Sequence, residues 1–232
     1  MNLNHLGSRL ASALLVAGFA FGISSCGSSS SRMRYVVADQ TYNNNVDILI
    51  DNRIVATNVA YGTGTAYMGI SSGSRLLEIR PTGNTNSSSD IIHSNITVQG
   101  GSDTTVILDY SGGSVATPFT DDNTEPASGS VEIRPIHAAN FLGNLDVYII
   151  PQGQGISGVS PQISNLAFNS TGKNYVKLNA GSWEVVFTFA GTQSIVFDTG
   201  TSISSLSSGA IRTVVALNAV NGSPGYTTLT DR

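Results

Sequence analysis

The chain has 232 residues, of which only 11% are charged, and its formal net charge is −4. It contains two lysines, Lys173 and Lys177, so it lacks the basic surface that nucleic-acid binding requires. Its 25 glycines and many Ser, Thr and Asn residues are typical of exported β-proteins whose surface is solvated by hydroxyl and amide groups.

The first segment has the features of an export signal. Arg9 precedes an apolar or small stretch, Leu10 to Ile23, that is too short to span a bilayer. The stretch runs into Ser24-Ser25-Cys26, and this arrangement resembles the lipobox of bacterial lipoproteins, whose cysteine carries diacylglycerol. We therefore expect residues 1–25 to be a cleaved lipoprotein signal peptide and Cys26 to be the lipidated residue. The alternative is an ordinary signal peptide with an incidental cysteine.

Cys26 is the one cysteine of the chain, so the exported protein has no disulfide bond. Acyl chains on Cys26 would attach it to a membrane, at about 0.8 kcal/mol per buried methylene. Residues 26–31 form a short Ser/Gly tether between this anchor and the rest of the chain.

The rest of the chain presents one pattern twice, beginning at Arg34 and again at Arg134. Each copy opens with this arginine and continues into an apolar run that carries one acid, Asp47 or Asp146. Further positions correspond in order: Asn58-Val59-Ala60-Tyr61 with Asn165-Leu166-Ala167-Phe168, Tyr67 with Tyr175, Gly73-Ser74 with Gly181-Ser182, Thr105 with Thr213, and Thr120-Asp121 with Thr230-Asp231. A period of about a hundred residues indicates two sequential domains of one type.

Within each copy, apolar and polar residues alternate with the period of a β-strand. Met33, Tyr35 and Val37 share one strand face, and Arg34 lies on the other. Short strands separated by turn formers predict an all-β fold, two tandem antiparallel β-sandwich domains of immunoglobulin-like type. We place the first domain at residues 32–122, a linker at 123–129 and the second domain at 130–232, and we expect each domain to fold alone.

The second copy carries an insertion, Pro151 to Pro161, where the first has only a tight turn at Asp51-Asn52-Arg53. Its glycines predict a mobile loop. Trp183 begins the most apolar strand of the second copy, and we expect it to lie in the core.

At this point the residues resemble a known family, domain of unknown function 4397. The resemblance rests on the arginine opening, the V-D-I/V-x-I strand, the A-Y/F segment, the G-S hairpin and the closing T-D, and it covers nearly all of the chain after the signal. The family's opening usually carries a histidine, which His137 matches and Val37 does not. The resemblance implies an extracytoplasmic protein, often a lipoprotein with tandem copies, and no reaction.

No catalytic constellation is apparent in the sequence. Two histidines, His93 and His137, remain after the signal, and they lie in different copies, so neither a hydrolase triad nor a zinc site is expected. Asp47 and Asp146 occupy equivalent points of two domains, too far apart for a glycosidase pair. We therefore predict no enzyme activity, no cofactor and no metal.

One alternative for a metal remains open. The acidic linker Asp121-Asp122-Asn123-Thr124-Glu125 offers oxygen ligands for calcium but lacks the spacing of a calcium loop, and we favour a solvated linker.

The Arg and Asp repeated in each copy are also structural candidates. Arg34 with Asp47, and Arg134 with Asp146, fall on the polar faces of their strands and would meet as cross-strand pairs if those strands are neighbours. The alternative, which we favour, is that they are unconnected surface charges.

These observations favour a lipid-anchored, non-enzymatic binding, adhesion or scaffold module of the bacterial cell envelope. Its partners would be the membrane and an envelope protein or glycan. Gly27 after the cysteine favours the outer over the inner membrane. The alternative is an enzyme or enzyme accessory acting on polysaccharide, which would need an aromatic-lined groove with two close carboxylates.

Overall fold

The protein was analysed as a computed structural model that describes residues 30–42, 44–170, 175–218 and 223–232. Eight strands belong to the first copy of the sequence pattern: β1 (Ser31–Val37), β2 (Val46–Ile50), β3 (Arg53–Val59), β4 (Met68–Ile70), β5 (Gly73–Pro81), β6 (Ile92–Val98), β7 (Asp103–Tyr110) and β8 (Ser114–Asp121). Nine belong to the second: β9 (Ser130–His137), β10 (Leu145–Pro151), β11 (Ile163–Leu166), β12 (Val176–Asn179), β13 (Gly181–Phe189), β14 (Ile195–Asp198), β15 (Ile203–Leu206), β16 (Ile211–Leu217) and β17 (Gly225–Thr230). Helical structure in the described residues consists of two short 3₁₀ turns, Ser87–Ser89 and Gly200–Ser202.

Each domain is a sandwich of two sheets, which confirms the all-β prediction. The first domain has sheets ordered β4-β1-β7-β8 and β3-β2-β5-β6, and the second has sheets ordered β12-β9-β16-β17 and β11-β10-β13-β14, with β15 also paired to β13. We call β4-β1-β7-β8 and β12-β9-β16-β17 the inner sheets, because they face each other, and the remaining two the outer sheets.

The strand pairing departs from a purely antiparallel sandwich in one respect. β1 pairs in parallel with β7, and β9 pairs in parallel with β16. A parallel pair needs a long crossover, and here the strands of the outer sheet, together with one edge strand of the inner sheet (β4 or β12), supply it. Alternation of apolar residues is the same in either direction, so the sequence does not distinguish the two.

Each sandwich encloses its own apolar core. In the first domain, Met33, Tyr35 and Val37 of β1 point inward together with Val106 and Leu108 of β7. Counterparts in the second domain include Ile133, Val214 and Phe187, and Trp183 packs against this core as expected.

A third apolar cluster lies between the two domains. It is formed by the opposite faces of the inner sheets and contains Val36, Ala38, Ile107 and Phe119 from the first domain with Ile136, Ala138, Val215, Leu217 and Leu229 from the second. The inner sheets are therefore buried on both faces. The strand face that carries Arg34 is not exposed to solvent but buried against the other domain.

The insertion of the second domain covers its outer sheet. Ile156 is 8% exposed and packs against Tyr148, Ile150 and Val186. The glycine-rich segment is thus attached by one apolar side chain to the sheet below it. The sequence prediction of a mobile loop missed this contact.

Candidate functional site

The predicted lipidation site lies outside the described residues. Cys26, the signal peptide at 1–25 and the tether up to Ser29 all precede residue 30. Among the described residues, no helix is long and apolar enough to cross a membrane.

Neither the candidate cross-strand pairs, Arg34 with Asp47 and Arg134 with Asp146, nor the alternative of unconnected surface charges is correct, because all four residues are buried. β1 lies in an inner sheet and β2 in an outer sheet, so Arg34 and Asp47 are not neighbours, and the same holds for β9 and β10. Each arginine instead reaches across the interface between the domains. Arg34 is bonded to Asp231 of the second domain, and the Nη2 of Arg134 lies 2.6 Å from Oδ1 of Asp121 in the first.

Two threonines join these ion pairs into a closed ring. Arg34 Nε donates to Thr105 Oγ1 at 2.8 Å, and that hydroxyl donates to Asp121 Oδ2 at 2.7 Å. In the second domain, Arg134 Nε donates to Thr213 Oγ1 at 3.1 Å, and Thr213 donates to Asp231 Oδ2 at 2.6 Å. The ring contains two cations and two anions, so its formal charge is zero. We call these six residues the buried ring.

The buried ring is shielded from water by tyrosines. The guanidinium of Arg34 lies 4.4 Å from the ring centre of Tyr67, and that of Arg134 lies 4.9 Å from the ring centre of Tyr175. Both arginine side chains are 2% exposed and both aspartate side chains 0%. Burial raises the pKa of Tyr175 to about 12. A fully hydrogen-bonded, neutral network of this kind stabilises one arrangement of two domains and exposes no group for chemistry.

Asp47 and Asp146 hold loops within their own domains. Asp47 accepts the backbone N–H groups of Asn58 and Gly83, and Asp146 accepts those of Asn165 and Gly191. Burial opposes ionisation of Asp47, but its backbone donors outweigh burial and lower its pKa. The two aspartates thus perform the same structural task in each copy.

Among the described residues, one group of acids and a histidine has the proximity that a metal site requires. Glu78, Asp90 and His93 have ligand atoms within 4.8 Å of one another. Arg80, however, lies 2.8 Å from both Glu78 Oε1 and Asp90 Oδ1, so a cation already neutralises the carboxylates. His137 is buried, its Nε2 lies 3.0 Å from the carbonyl of Gly143, and burial lowers its pKa.

An open cleft of about 400 Å³ lies at one edge of the first sandwich, where the two sheets separate. It is bordered by the edge strands β3 and β4 and by the turn between β2 and β3. Its floor and walls include the apolar side chains of Met33, Tyr35, Ile50, Val55, Met68 and Ile70, and polar groups contribute nearly as much of its exposed surface. Clefts of this size and character are typical small-molecule sites.

The rim of the cleft is polar and asymmetric in charge. Arg75 donates to the carbonyls of Ser71 and Ser72 and to Asp51 Oδ2, so this guanidinium is fixed. Asp51 also accepts the backbone N–H of Leu76, which lowers its pKa. Arg53 is exposed and has no side-chain hydrogen bond to any described residue. The rim thus carries two positive charges, Arg53 and Arg75, and one negative charge, Asp51. Of the two guanidinium groups, that of Arg53 is available to a ligand.

The second domain has a different cleft at the equivalent edge, about 440 Å³ in volume and lined by Ser130, Lys177, Leu178, Asn179 and Trp183. Trp183 occupies the place of Arg75, and both side chains donate to the carbonyl four residues earlier, Trp183 Nε1 to Asn179 and Arg75 Nε to Ser71. The indole packs with Val176 and Leu178 against the core of the second domain. Two copies that agree in their strands therefore differ at this point, because two arginines border the cleft of the first and an indole lines that of the second.

The sequence contains information on both the buried ring and the cleft. Thr105, Thr213 and the closing Asp121 and Asp231 were recognised as repeated, and they are the partners of the repeated arginines. The two copies differ in sequence where Arg75 corresponds to Trp183, and this position borders the cleft. The sequence does not show which strands lie at the sheet edges, so it does not show that the position lies beside an opening.

The geometry defines a two-domain β-sandwich protein with a buried polar interface and a cleft in one domain. Residues 35–148 match the family described as "Domain of unknown function (DUF4397)", which confirms the family that the sequence resembles. The match begins in β1 and ends in β10, so it covers one copy of the repeat and the start of the next. No curated protein matches the chain.

Solved structures give only loose likenesses. Two come from streptococcal virulence factors, under the titles "Alpha-glucan binding by a streptococcal virulence factor" and "Alpha-glucan recognition by family 41 carbohydrate-binding modules from streptococcal virulence factors". The first shares 11% identity over 71% of this chain and 83% of that one, with a TM-score of 0.26, and the second shares 11% over 75% and 84%, also at 0.26. A pneumococcal glycogen-degrading virulence factor shares 12% over 87% of this chain and 22% of that one, with a TM-score of 0.27. Scores this low do not establish a common fold.

Proposed function

We propose that this chain is a lipid-anchored, non-enzymatic binding module of the bacterial cell envelope, and that its ligand site is the cleft of the first domain. The observation that carries the proposal is the difference between the copies. In the first domain Arg53 and Arg75 border a cleft that reaches Met33 and Ile50 of the core, whereas in the second domain Trp183 stands in the place of Arg75 and forms a wall of the equivalent cleft. Two matched copies that keep their strands but differ in the residues lining this edge indicate that the cleft of the first copy has a use other than folding.

The lining predicts the class of ligand. Met68, which is partly buried, is a flexible, polarizable side chain that adapts to apolar groups of varied shape, and Met33 below it is 1% exposed. Arg53 and Arg75 at the rim are suited to an anionic group, because a guanidinium pairs with carboxylate, sulfonate or phosphate oxygens. The ligand class is therefore a small amphiphile with an apolar body and one anionic group.

The polysaccharide alternative receives no support from this cleft. Its lining includes one aromatic residue, Tyr35, which is 1% exposed and offers no ring for stacking on a sugar. It includes one carboxylate, Asp51, where a glycosidase needs two.

A fluorescent amphiphile tests the cleft directly. The probe is 1-anilinonaphthalene-8-sulfonate, titrated into the chain from Gly27 to Arg232, and we expect saturable binding with one site. Arg75→Trp places in the cleft the residue that the second domain tolerates, so it should weaken binding at least tenfold while leaving the circular dichroism spectrum unchanged. Arg53→Ala should weaken binding by less.

Arg212→Trp serves as the matched control, since it adds the same side chain on a strand of the second domain, and it should leave binding unaltered. Equal affinity in wild type and Arg75→Trp would show that the cleft is not the site.

The anchor is tested separately. Cys26→Ser should prevent incorporation of a palmitate analogue and should move the protein from the membrane to the soluble fraction. Label retained by the variant would exclude Cys26 as the lipidated residue. This result does not depend on the cleft.

A further inference from the structure

The surfaces that the two domains bury against each other are nearly equivalent. Val36 corresponds to Ile136, Ala38 to Ala138, Ile107 to Val215 and Phe119 to Leu229, and all of them lie in one cluster. The buried ring follows the same rule, since each arginine pairs with the closing aspartate of the other domain. In such a two-fold arrangement, residue i contacts residue j and j contacts i, so the surface is complementary to a copy of itself.

Two contacts break this equivalence and distinguish the partners. Asn169 of the second domain donates to Asp109 Oδ2 at 2.8 Å and to Thr117 Oγ1 at 3.1 Å in the first domain. The hydroxyl of Tyr61 in the first domain donates to the carbonyl of Asn218 in the second. The counterpart of Asn169 is Gly62, and that of Asp109 is Leu217.

A pair of two first domains would therefore leave the buried Asp109 carboxyl without its amide partner, at the cost of an unsatisfied buried group. The interface therefore favours pairing of a first domain with a second domain over pairing of two first domains.

The connection between the domains is short and runs along the surface of both, where Asn123 donates to Asp103 of the first domain and Glu125 pairs with Arg232 of the second. Residues 122–129 join β8 to β9 and span at most about 28 Å when extended, at about 3.5 Å per residue. The interface itself contains no part of this connection among its apolar or ring residues. Nothing in those contacts requires the two domains to come from one chain.

We propose that the interaction partner of this surface is a second copy of the chain, which exchanges domains so that each first domain docks on the second domain of the other molecule. The exchanged dimer has every contact of the buried ring, the apolar cluster and the Asn169–Asp109 bond. It differs from the monomer in the path of residues 122–129 and in the entropy of association. Protein concentration and linker length therefore set the balance between the two forms.

Charge complementation between full-length chains tests the exchange. One variant of Gly27–Arg232 carries Arg34→Glu and the other carries Asp231→Arg. Alone, each places like charges against each other in the buried ring, Glu with Asp231 or Arg34 with Arg. In an exchanged mixed dimer, one interface pairs the two altered residues and the other pairs the two native ones. Both interfaces then have opposite charges.

We expect an equimolar mixture, unfolded in urea and refolded together, to yield a species of twice the monomer mass by light scattering, with one chain of each kind by mass spectrometry. A single chain that carries both substitutions is the matched control, because its reversed pair is satisfied within the chain and it should refold as a monomer. A mixture without mixed dimers, when the control refolds, would overturn the proposal.

Shortening the linker gives a second measurement on otherwise native chains. Deletion of Thr124–Ser128 hinders docking within one chain and should convert the protein to a dimer. If the shortened chain is monomeric, or if its dimer persists unchanged after Arg34→Glu, domain exchange through this surface is excluded.

Discussion

Residue scale. A guanidinium buried as deeply as that of Arg134 is stable only when all of its charge and donors are compensated. Its donors go to Asp121, Thr213 and the carbonyl of Thr120, and Arg34 has the equivalent set. Burial alone would lower the pKa of Arg134, but Asp121, together with the more distant Tyr175 and Asp231, raises it. The ring therefore keeps its charges because each is paired across the interface.

The first prediction distinguishes the observed partner from the one that the sequence suggested. Arg134→Ala should lower the free energy of unfolding by about 3–5 kcal/mol, because it leaves the buried Asp121 unpaired. In a double-mutant cycle followed by urea denaturation, Arg134→Ala and Asp121→Ala should show a coupling above about 1 kcal/mol. Arg134→Ala with Asp146→Ala is the control and should be additive within about 0.5 kcal/mol. Additivity in the first cycle would contradict the ring.

The second prediction concerns Asp109, whose pKa burial raises to about 6, with a further contribution from the nearby Asp39. Tyr42 also faces these two carboxyls. The folded state holds the proton more tightly than the unfolded state, whose carboxyl has a pKa near 3.8. The stability contributed by protonation is therefore present at pH 4 and is lost as the pH rises through 6.

Asp109→Asn should remove this dependence and still accept the bond from Asn169. As the pH rises from 4 to 7, the melting temperature of the variant should increase relative to that of wild type. Asp47→Asn is the opposite control, because the pKa of Asp47 is lowered in the folded state. Its deficit relative to wild type should shrink as the pH falls. A constant difference for Asp109→Asn across this range would refute the assignment.

At this scale the sequence identifies the polar residues that form buried contacts but not the residues with which they pair. Repetition singled out Arg34, Asp47, Thr105 and Asp121 together with their copies. The partner of Arg34 lies in the other copy, about two hundred positions along the chain, and a repeat gives no information on how its copies face each other.

Element scale. Alternation located the strands because one face of each is apolar, yet it did not show that the inner sheets are buried on both faces. Arg34, Val36 and Ala38 alternate with the core residues of β1 and meet the second domain. The parallel β1–β7 pairing was equally hidden, since the strand period is the same for both directions.

The insertion between β10 and β11 provides the third prediction. Ile156 closes a small apolar cluster on the outer sheet, so Ile156→Ala should lower the free energy of unfolding by about 2 kcal/mol, at the low end for a buried isoleucine. Ser157→Ala in the same loop is the control and should have little effect. If Ile156→Ala is neutral in chemical denaturation, the loop is not attached through this residue.

Whole-molecule scale. The sequence suggested two domains that fold alone, because each copy has its own set of strands. The apolar cluster and the buried ring between them lead us to expect the opposite, since separation would expose the apolar inner faces and four buried charges.

The fourth prediction is that the chain from Gly27 to Arg232 unfolds in one cooperative transition. Calorimetric and van't Hoff enthalpies should agree, and tryptophan fluorescence from Trp183 in the second domain should follow the same curve as circular dichroism. Chains 32–122 and 129–232 expressed singly should each be much less stable than the whole. Two resolved transitions, each matching one domain, would contradict the shared interface.

The central claim is that the first domain binds its ligand in the open cleft, and the methionine methyl groups report on it directly. Once residues 1–25 are removed, Met33 and Met68 are the methionines of the chain, and both line the cleft. In a chain labelled with ¹³C at the methionine methyls, titration with 1-anilinonaphthalene-8-sulfonate should shift both signals with one dissociation constant. The Arg75→Trp chain should show no such shift. Saturable binding that leaves both methyl signals of the wild-type chain unmoved would contradict the account.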